Sequence, residues 1–87
     1  MVYLVTYDLN KSGQNYQLLF EAIKNQGNAL HALQNLWFIE TDKSASQIYQ
    51  NLKAVIDKND YILISQINLN HMGFLPNNVV NWLSGKI

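Results

Sequence analysis

The sequence predicts a single α+β domain in which helices pack on a four-stranded antiparallel sheet. Three observations lead to this fold class. The chain has 87 residues, a length that fits one domain. Hydrophobic residues make up 48% of it, as in chains that fold. Runs rich in β-branched and aromatic residues alternate with segments of helical periodicity. We expect residues 1–67 to form the core and residues 68–87 to form a C-terminal extension with a short helix.

The first half of the chain predicts a strand, a helix and a β-hairpin. Residues 2–7 carry apolar groups on both faces, which is typical of a central strand. Apolar residues recur at helical spacing over 14–26, and Gly27 is expected to end that helix at its C′ position. Residues 29–33 and 36–41 follow as two short strands, and the two residues between them predict a tight turn.

The second half predicts a helix, a strand and the extension. The helix is capped by Thr41, Asp42 or Ser44, and its apolar face consists of Ala45, Ile48, Leu52, Val55 and Ile56. Residues 61–67 predict a strand, 71–74 a further short strand, and 77–83 a helix that opens at Pro76. The core order is β-α-β-β-α-β, that of a ferredoxin-like sandwich with two helices on one sheet face.

The second face of this sheet is expected to be apolar and must be buried against another surface. The first and last core strands are apolar on both faces, whereas two helices cover only one face. The simplest cover in so short a chain is a second copy of itself, so we expect a homodimer.

Composition restricts the kind of chemistry. There is no cysteine, which excludes disulfides and sulfur-ligated metals and suits a reducing compartment. Six lysines balance six acidic residues and arginine is absent, so bidentate arginine clamps on phosphate are excluded. No apolar run reaches the roughly 18 residues of a membrane-spanning helix, and the start of the chain lacks a basic leader. These features predict a cytoplasmic protein without a membrane partner.

With these elements in place, the sequence resembles the CRISPR-associated protein 2 family, in particular its compact SinR-labelled subgroup, which is similar in fold to the VapD-type ribonuclease toxins. The resemblance covers nearly the whole chain. Its motifs are Tyr3 to Asn10 (YLVTYDLN), Asn15-Tyr16, Ala22-Ile23-Lys24, His31, Leu36 to Ile39 (LWFI), Ser44-Ala45 and Asp57 to Asp60 (DKND).

The resemblance implies a function for Asp8. Two protomers pack sheet to sheet, and the aspartate that ends the first strand lies near its symmetry mate. In nuclease-active members this pair holds one divalent cation, Mg²⁺ or Mn²⁺, which assists phosphodiester hydrolysis. Other members are structural parts of a DNA-integration complex. Taken without the resemblance, Asp8 is equally suited to organising the turn that follows it.

Other residues are weaker candidates. His31 has an imidazole that exchanges protons near neutral pH, which suits a general acid or base as well as a structural hydrogen bond. Asn10, Lys11 and Ser12 precede the first helix, where they would contact a phosphate or simply form a turn. Trp37 is interpreted as a core or dimer-interface residue in preference to a base-stacking one.

Two hypotheses follow. The first is a metal-dependent, nuclease-like homodimer that acts on RNA or DNA phosphodiesters, with Asp8 as catalytic metal ligand and His31 as a second catalytic candidate. The second is a catalytically silent dimer that binds a protein or nucleic-acid partner, including a toxin–antitoxin role. Zero net charge and the lack of arginine favour the second hypothesis.

Overall fold

The structure, a computed structural model, describes residues 1–9 and 16–87 of the chain. Its elements are β1 (Val2–Asp8), α1 (Tyr16–Lys24), β2 (Asn28–Leu33), β3 (Leu36–Glu40), α2 (Ala45–Lys53), β4 (Tyr61–Ile67) and α3 (Asn77–Leu83). The strands form one sheet in the order β2-β3-β1-β4, and every neighbouring pair is antiparallel. The α+β class is thereby confirmed, and the strand order is compatible with a ferredoxin-like fold. None of the helices in the described ranges has the length and apolar content needed to cross a membrane.

The first sheet face carries the main core. Alternate residues of β1 point toward α1 and α2, because successive side chains of a strand face opposite sides. The buried members of this core are Tyr3, Val5, Tyr7, Leu19, Ile23, Trp37, Ile39, Ile48 and Leu52. Both predicted helices therefore lie on the same face of the sheet.

Helix α2 begins with a capping box. Ser44 is the N-cap, and its hydroxyl oxygen accepts a hydrogen bond from the Gln47 backbone N–H at 3.1 Å. The Gln47 side chain accepts one from the Ser44 N–H at 2.8 Å. Two N–H groups that the helix itself leaves unpaired are satisfied in this way. Ser44 is thus the cap among the three residues considered from the sequence.

Gly27 does not end the first helix, as the sequence predicted. Helix α1 ends at Lys24, before Gly27, and Gly85 is the one glycine of the described residues with a positive φ, +80°. A Cβ atom at Gly27 would collide with the backbone carbonyl oxygen of Glu40 at the end of β3. Glycine is needed here because two backbone segments approach closely, so the expectation that Gly27 ends α1 at the C′ position is wrong.

The strand expected at residues 71–74 is also wrong. The described segment 68–76 contains no strand, and the side chains of Met72 and Phe74 are 97% and 101% exposed. A local turn explains the difference. The Asn68 side-chain oxygen accepts from the Asn70 N–H at 2.8 Å, and its carbonyl oxygen accepts from His71 Nδ1 at 2.6 Å. These bonds hold the chain in a turn directly after β4 instead of extending it.

Helix α3 covers part of the second sheet face, which corrects the expectation that this face depends on a second copy alone. Val79 and Leu83 of α3 pack with Val2 and Phe38 in a second core cluster. Half-buried apolar residues complete this cluster, namely Leu4, Leu30, Ala32, Leu36, Ile67, Leu75, Trp82 and Ile87. The extension is therefore part of the folded core.

Candidate functional site

Asp8 ends β1 and lies on the second sheet face. It is exposed, and in the β1–β4 register it stands directly opposite Tyr61, the first residue of β4. Because side chains alternate along a strand, Asp8 shares its face with Leu4 and Thr6. Tyr61 is 74% exposed, so the carboxylate and the phenol ring stand side by side at an open end of the sheet.

Next to this pair, a row of side chains crosses all four strands. The register aligns Leu33 with Leu36, Leu36 with Thr6, and Thr6 with Leu63. We call these four residues the open row. Leu33 is 43% exposed and Leu63 is 57% exposed, whereas the two central members are half-buried. The second face is thus covered by α3 at one end and left open, and largely apolar, at the Asp8 end.

His31 lies on the other face of the sheet. It is paired with Trp37 across the β2–β3 hairpin, and the two rings are stacked at 4.3 Å between centroids and 9° between planes. Its Nε2–H donates to the carbonyl oxygen of Gln34 at 3.1 Å. The structure therefore does not bring His31 and Asp8 together, because their side chains point to opposite faces of the sheet.

Trp37 is 2% exposed, in agreement with a core position. Its indole N–H donates to the hydroxyl oxygen of Tyr7 at 3.3 Å, and that hydroxyl donates to the Gln34 carbonyl oxygen at 3.3 Å. Burial raises the pKa of the Tyr7 hydroxyl above its ordinary value of 10.0, against the opposing effect of the Trp37 hydrogen bond. Tyr7 is consequently a neutral donor at physiological pH and ties the hairpin turn to β1.

The remaining sequence candidates divide into two groups. Asn10, Lys11 and Ser12 lie outside the described residues. Asp57 and Asp60 shape the turn before β4: Asp60 Oδ2 accepts from the Asp57 N–H, and Asp57 Oδ1 accepts from the Lys58 N–H, both at 2.8 Å. Both side chains therefore stabilise the turn that precedes β4.

A divalent cation needs several oxygen ligands. Within residues 1–9 and 16–87, no three histidine, cysteine, aspartate or glutamate side chains are grouped closely enough to hold a metal ion. At this end of the sheet, Asp8 is an exposed carboxylate that stands opposite Tyr61.

A groove that sequence reasoning missed lies between the end of α2 and the start of β4. It has a volume of about 410 Å³ and reaches from Tyr49 and Lys53 to Lys58 and Tyr61. Ile56 and Ile62 supply its apolar lining, and Asp57 and Asp60 lie in its turn. No local motif indicates this groove, because its residues come from two elements that only tertiary packing brings together.

The comparisons with known proteins add no relative. No protein-family model matches the sequence, and no curated protein matches it.

Proposed function

We propose that the chain is a ferredoxin-like homodimer that hydrolyses RNA or DNA phosphodiesters with the help of a divalent cation, Mg²⁺ or Mn²⁺. The observation that carries this proposal is the position of Asp8, exposed at the open end of an otherwise covered sheet face. A partner that covers the open row would place its own Asp8 nearby. The resemblance to the CRISPR-associated protein 2 family supports the same arrangement.

The open row supports face-to-face pairing of two sheets. Four strands at the usual spacing extend the row over about 14 Å. Leu63 and Leu33, at its two ends, expose apolar surface that water does not solvate favourably. An isologous interface needs one self-complementary patch, and a flat apolar row next to a two-fold axis meets that requirement.

The chemistry would depend on Asp8 of both protomers. Two carboxylates that face each other repel, which favours a cation between them. When bound, such a cation polarises a phosphodiester oxygen and lowers the pKa of a bound water. The contribution of the chain itself is to hold both carboxylates rigidly at the ends of central strands.

Leu63→Asp should convert the dimer into a monomer. The substitution places a charge in the apolar contact of both protomers, where desolvation is unfavourable. Sedimentation of the wild type should give twice the chain mass of 10.0 kDa, and the variant should sediment at 10.0 kDa. Leu18→Asp is the matched control, because Leu18 is 51% exposed on α1, away from the open row. If the wild type sediments as a monomer at every usable concentration, the proposed homodimer is contradicted.

Asp8→Asn should abolish both cleavage and the thermal response to Mg²⁺ or Mn²⁺. A cation at about ten times its Kd adds about 1.4 kcal/mol to stability, roughly 3–6 °C for a dimer of this size. The variant should retain its fold and show no such shift. Asp42→Asn, the same change at another exposed carboxylate, should behave as wild type. Identical melting of wild type and Asp8→Asn with and without metal, together with no cleavage of oligonucleotides, contradicts the proposal.

A catalytically silent dimer is the second candidate. It is favoured by the charge balance of six lysines against six acidic residues without arginine, which gives little general attraction for phosphate. Such a dimer would bind a protein or nucleic-acid partner without cleaving it. This candidate would be identified by a stable dimer whose melting temperature does not change with Mg²⁺ or Mn²⁺ and which cleaves no oligonucleotide with or without metal.

A further inference from the structure

We propose that residues 68–76, which we call the arm, complete the homodimer by inserting Phe74 into an apolar cavity of a second copy. This inference rests on the homodimer of the proposed function and is independent of its nuclease activity. Because the two copies of an isologous dimer make the same contacts, each arm would occupy the cavity of its partner.

The arm presents apolar side chains to water. Leu69 is 80% exposed, Met72 is 97% exposed and Phe74 is 101% exposed. Both ends of the arm are nevertheless anchored, by the turn at Asn68 and by Leu75, which packs in the second core cluster. A segment that is held in place loses little conformational entropy when it binds. The arm is therefore preorganised for contact with another apolar surface.

The cavity lies between the arm and α3. Its volume is about 470 Å³, and a closed cavity of about 150 Å³ is enough to hold benzene. Among the described residues, Gly73 and Leu75 line the cavity, whereas Phe74 between them does not. The ring of Phe74 therefore does not fill the cavity of its own chain. The apolar lining consists of Leu69, Met72, Leu75, Val80, Leu83 and Ile87.

The charge pattern favours a second copy as the occupant. Residues 61–85, which comprise β4, the arm and α3, contain none of the six lysines and six acidic residues of the chain. Charged residues are depleted at the centres of protein interfaces, and exposed edge strands usually carry them. Nucleic acid or an anionic membrane would instead require basic groups. A projecting ring and a cavity on one uncharged surface are self-complementary, as an isologous dimer requires.

The area needed for a stable dimer gives a further argument. The open row alone exposes only parts of Leu33 and Leu63, which is well short of the roughly 800 Å² that each partner buries in a standard interface. The three exposed apolar side chains of the arm add on the order of 400 Å² per protomer. The arm leads from β4 to α3 on the second sheet face. One partner can therefore cover the open row and the arm together.

Phe74→Ala should weaken dimer formation about 100-fold in sedimentation of the full chain. A truncated anchor residue commonly weakens binding at least about tenfold, and in this dimer the contact is lost twice. The fold of each protomer should persist in circular dichroism, because a side chain that is 101% exposed does not support it. Tyr49→Ala is the matched control, since Tyr49 is a partly exposed aromatic residue of α2, on the other face of the sheet.

Cross-linking tests which surfaces meet. The chain has no cysteine, so an introduced thiol is unique. Chains with Phe74→Cys, mixed with chains with Val80→Cys and treated with a short bismaleimide, should form a mixed dimer that mass spectrometry distinguishes from either symmetric product. Leu18→Cys in place of Phe74→Cys should give at least about tenfold less mixed product, because Leu18 lies on α1, away from the cavity.

Several results would overturn the insertion of Phe74. Unchanged association of Phe74→Ala would do so, as would cross-linking no stronger than that of the Leu18→Cys control. If Leu63→Asp then still gave monomers, the homodimer would stand without the arm. Weakened association of Phe74→Ala in a protein that cleaves no oligonucleotide would support the arm and contradict the nuclease. A wild type that stays monomeric but binds neutral lipid vesicles would assign the arm to a membrane surface instead.

Discussion

Deleting residues 68–87 is expected to abolish the folded state. The deletion removes Val79 and Leu83 from the second core cluster and exposes Val2 and Phe38 to water. Burial of each such side chain contributes roughly 1.5–3 kcal/mol, about 6–12 kcal/mol in total. The whole stability of a small domain is about 5–15 kcal/mol. Circular dichroism and urea unfolding of the shortened chain should show no cooperative transition.

A pair of substitutions tests the same point without deletion. Val79 is 0% exposed and Val80 is 51% exposed. The same valine-to-alanine substitution can therefore be compared at a buried and at an exposed position of α3. Val79→Ala should cost about 2 kcal/mol, because two methyl groups leave a packed site. Val80→Ala should stay within about 0.5 kcal/mol of wild type. Equal urea midpoints for the two variants, or a shortened chain that unfolds cooperatively, would show that α3 does not stabilise the sheet.

Trp37→Ala is expected to lower the free energy of unfolding by about 3–5 kcal/mol, the usual cost of truncating a buried tryptophan. The change empties the centre of the first core. It also removes the hydrogen bond to the Tyr7 hydroxyl and the ring on which His31 stacks. Urea unfolding followed by circular dichroism measures the loss. Because Trp37 is 2% exposed, no ligand should reach its ring in the folded protein.

Trp37→Phe serves as the matched variant for this position. It retains an aromatic ring for packing and stacking and should lose less stability than Trp37→Ala. If Trp37→Ala instead kept the wild-type midpoint while losing oligonucleotide binding, Trp37 would be a base-stacking residue and its core role would be wrong.

The elements with unbroken periodicity could be predicted from the sequence. The strand 61–67 and the helix 77–83 have the bounds that the pattern indicated, and the hairpin turns at the two residues expected. These features depend on local spacing, on a proline at a helix start and on β-branched runs. The same local signals failed at 71–74, where a turn centred on Asn68 outweighs a short apolar pattern.

Features that depend on how helices and strands pack against one another could not be predicted from the sequence. The sequence shows that 77–83 is a helix, yet not that it packs on the face opposite α1 and α2. Likewise, Gly27 follows a helix as capping glycines do, and only the approach of β3 reveals its actual role. The groove between α2 and β4 has the same origin, since the packing of the helix on the sheet places its residues together.

The place of α3 in the fold also affects how the protein emerges from the ribosome. The central strand β1 is made first, whereas both of its neighbours, β3 and β4, come later in the chain. Helix α3 follows all of them, and it buries residues of β1 and β3. The nascent chain consequently keeps one apolar sheet face uncovered until α3 has left the exit tunnel. Folding should therefore be completed after translation of this segment, with aggregation or chaperone binding competing during that interval.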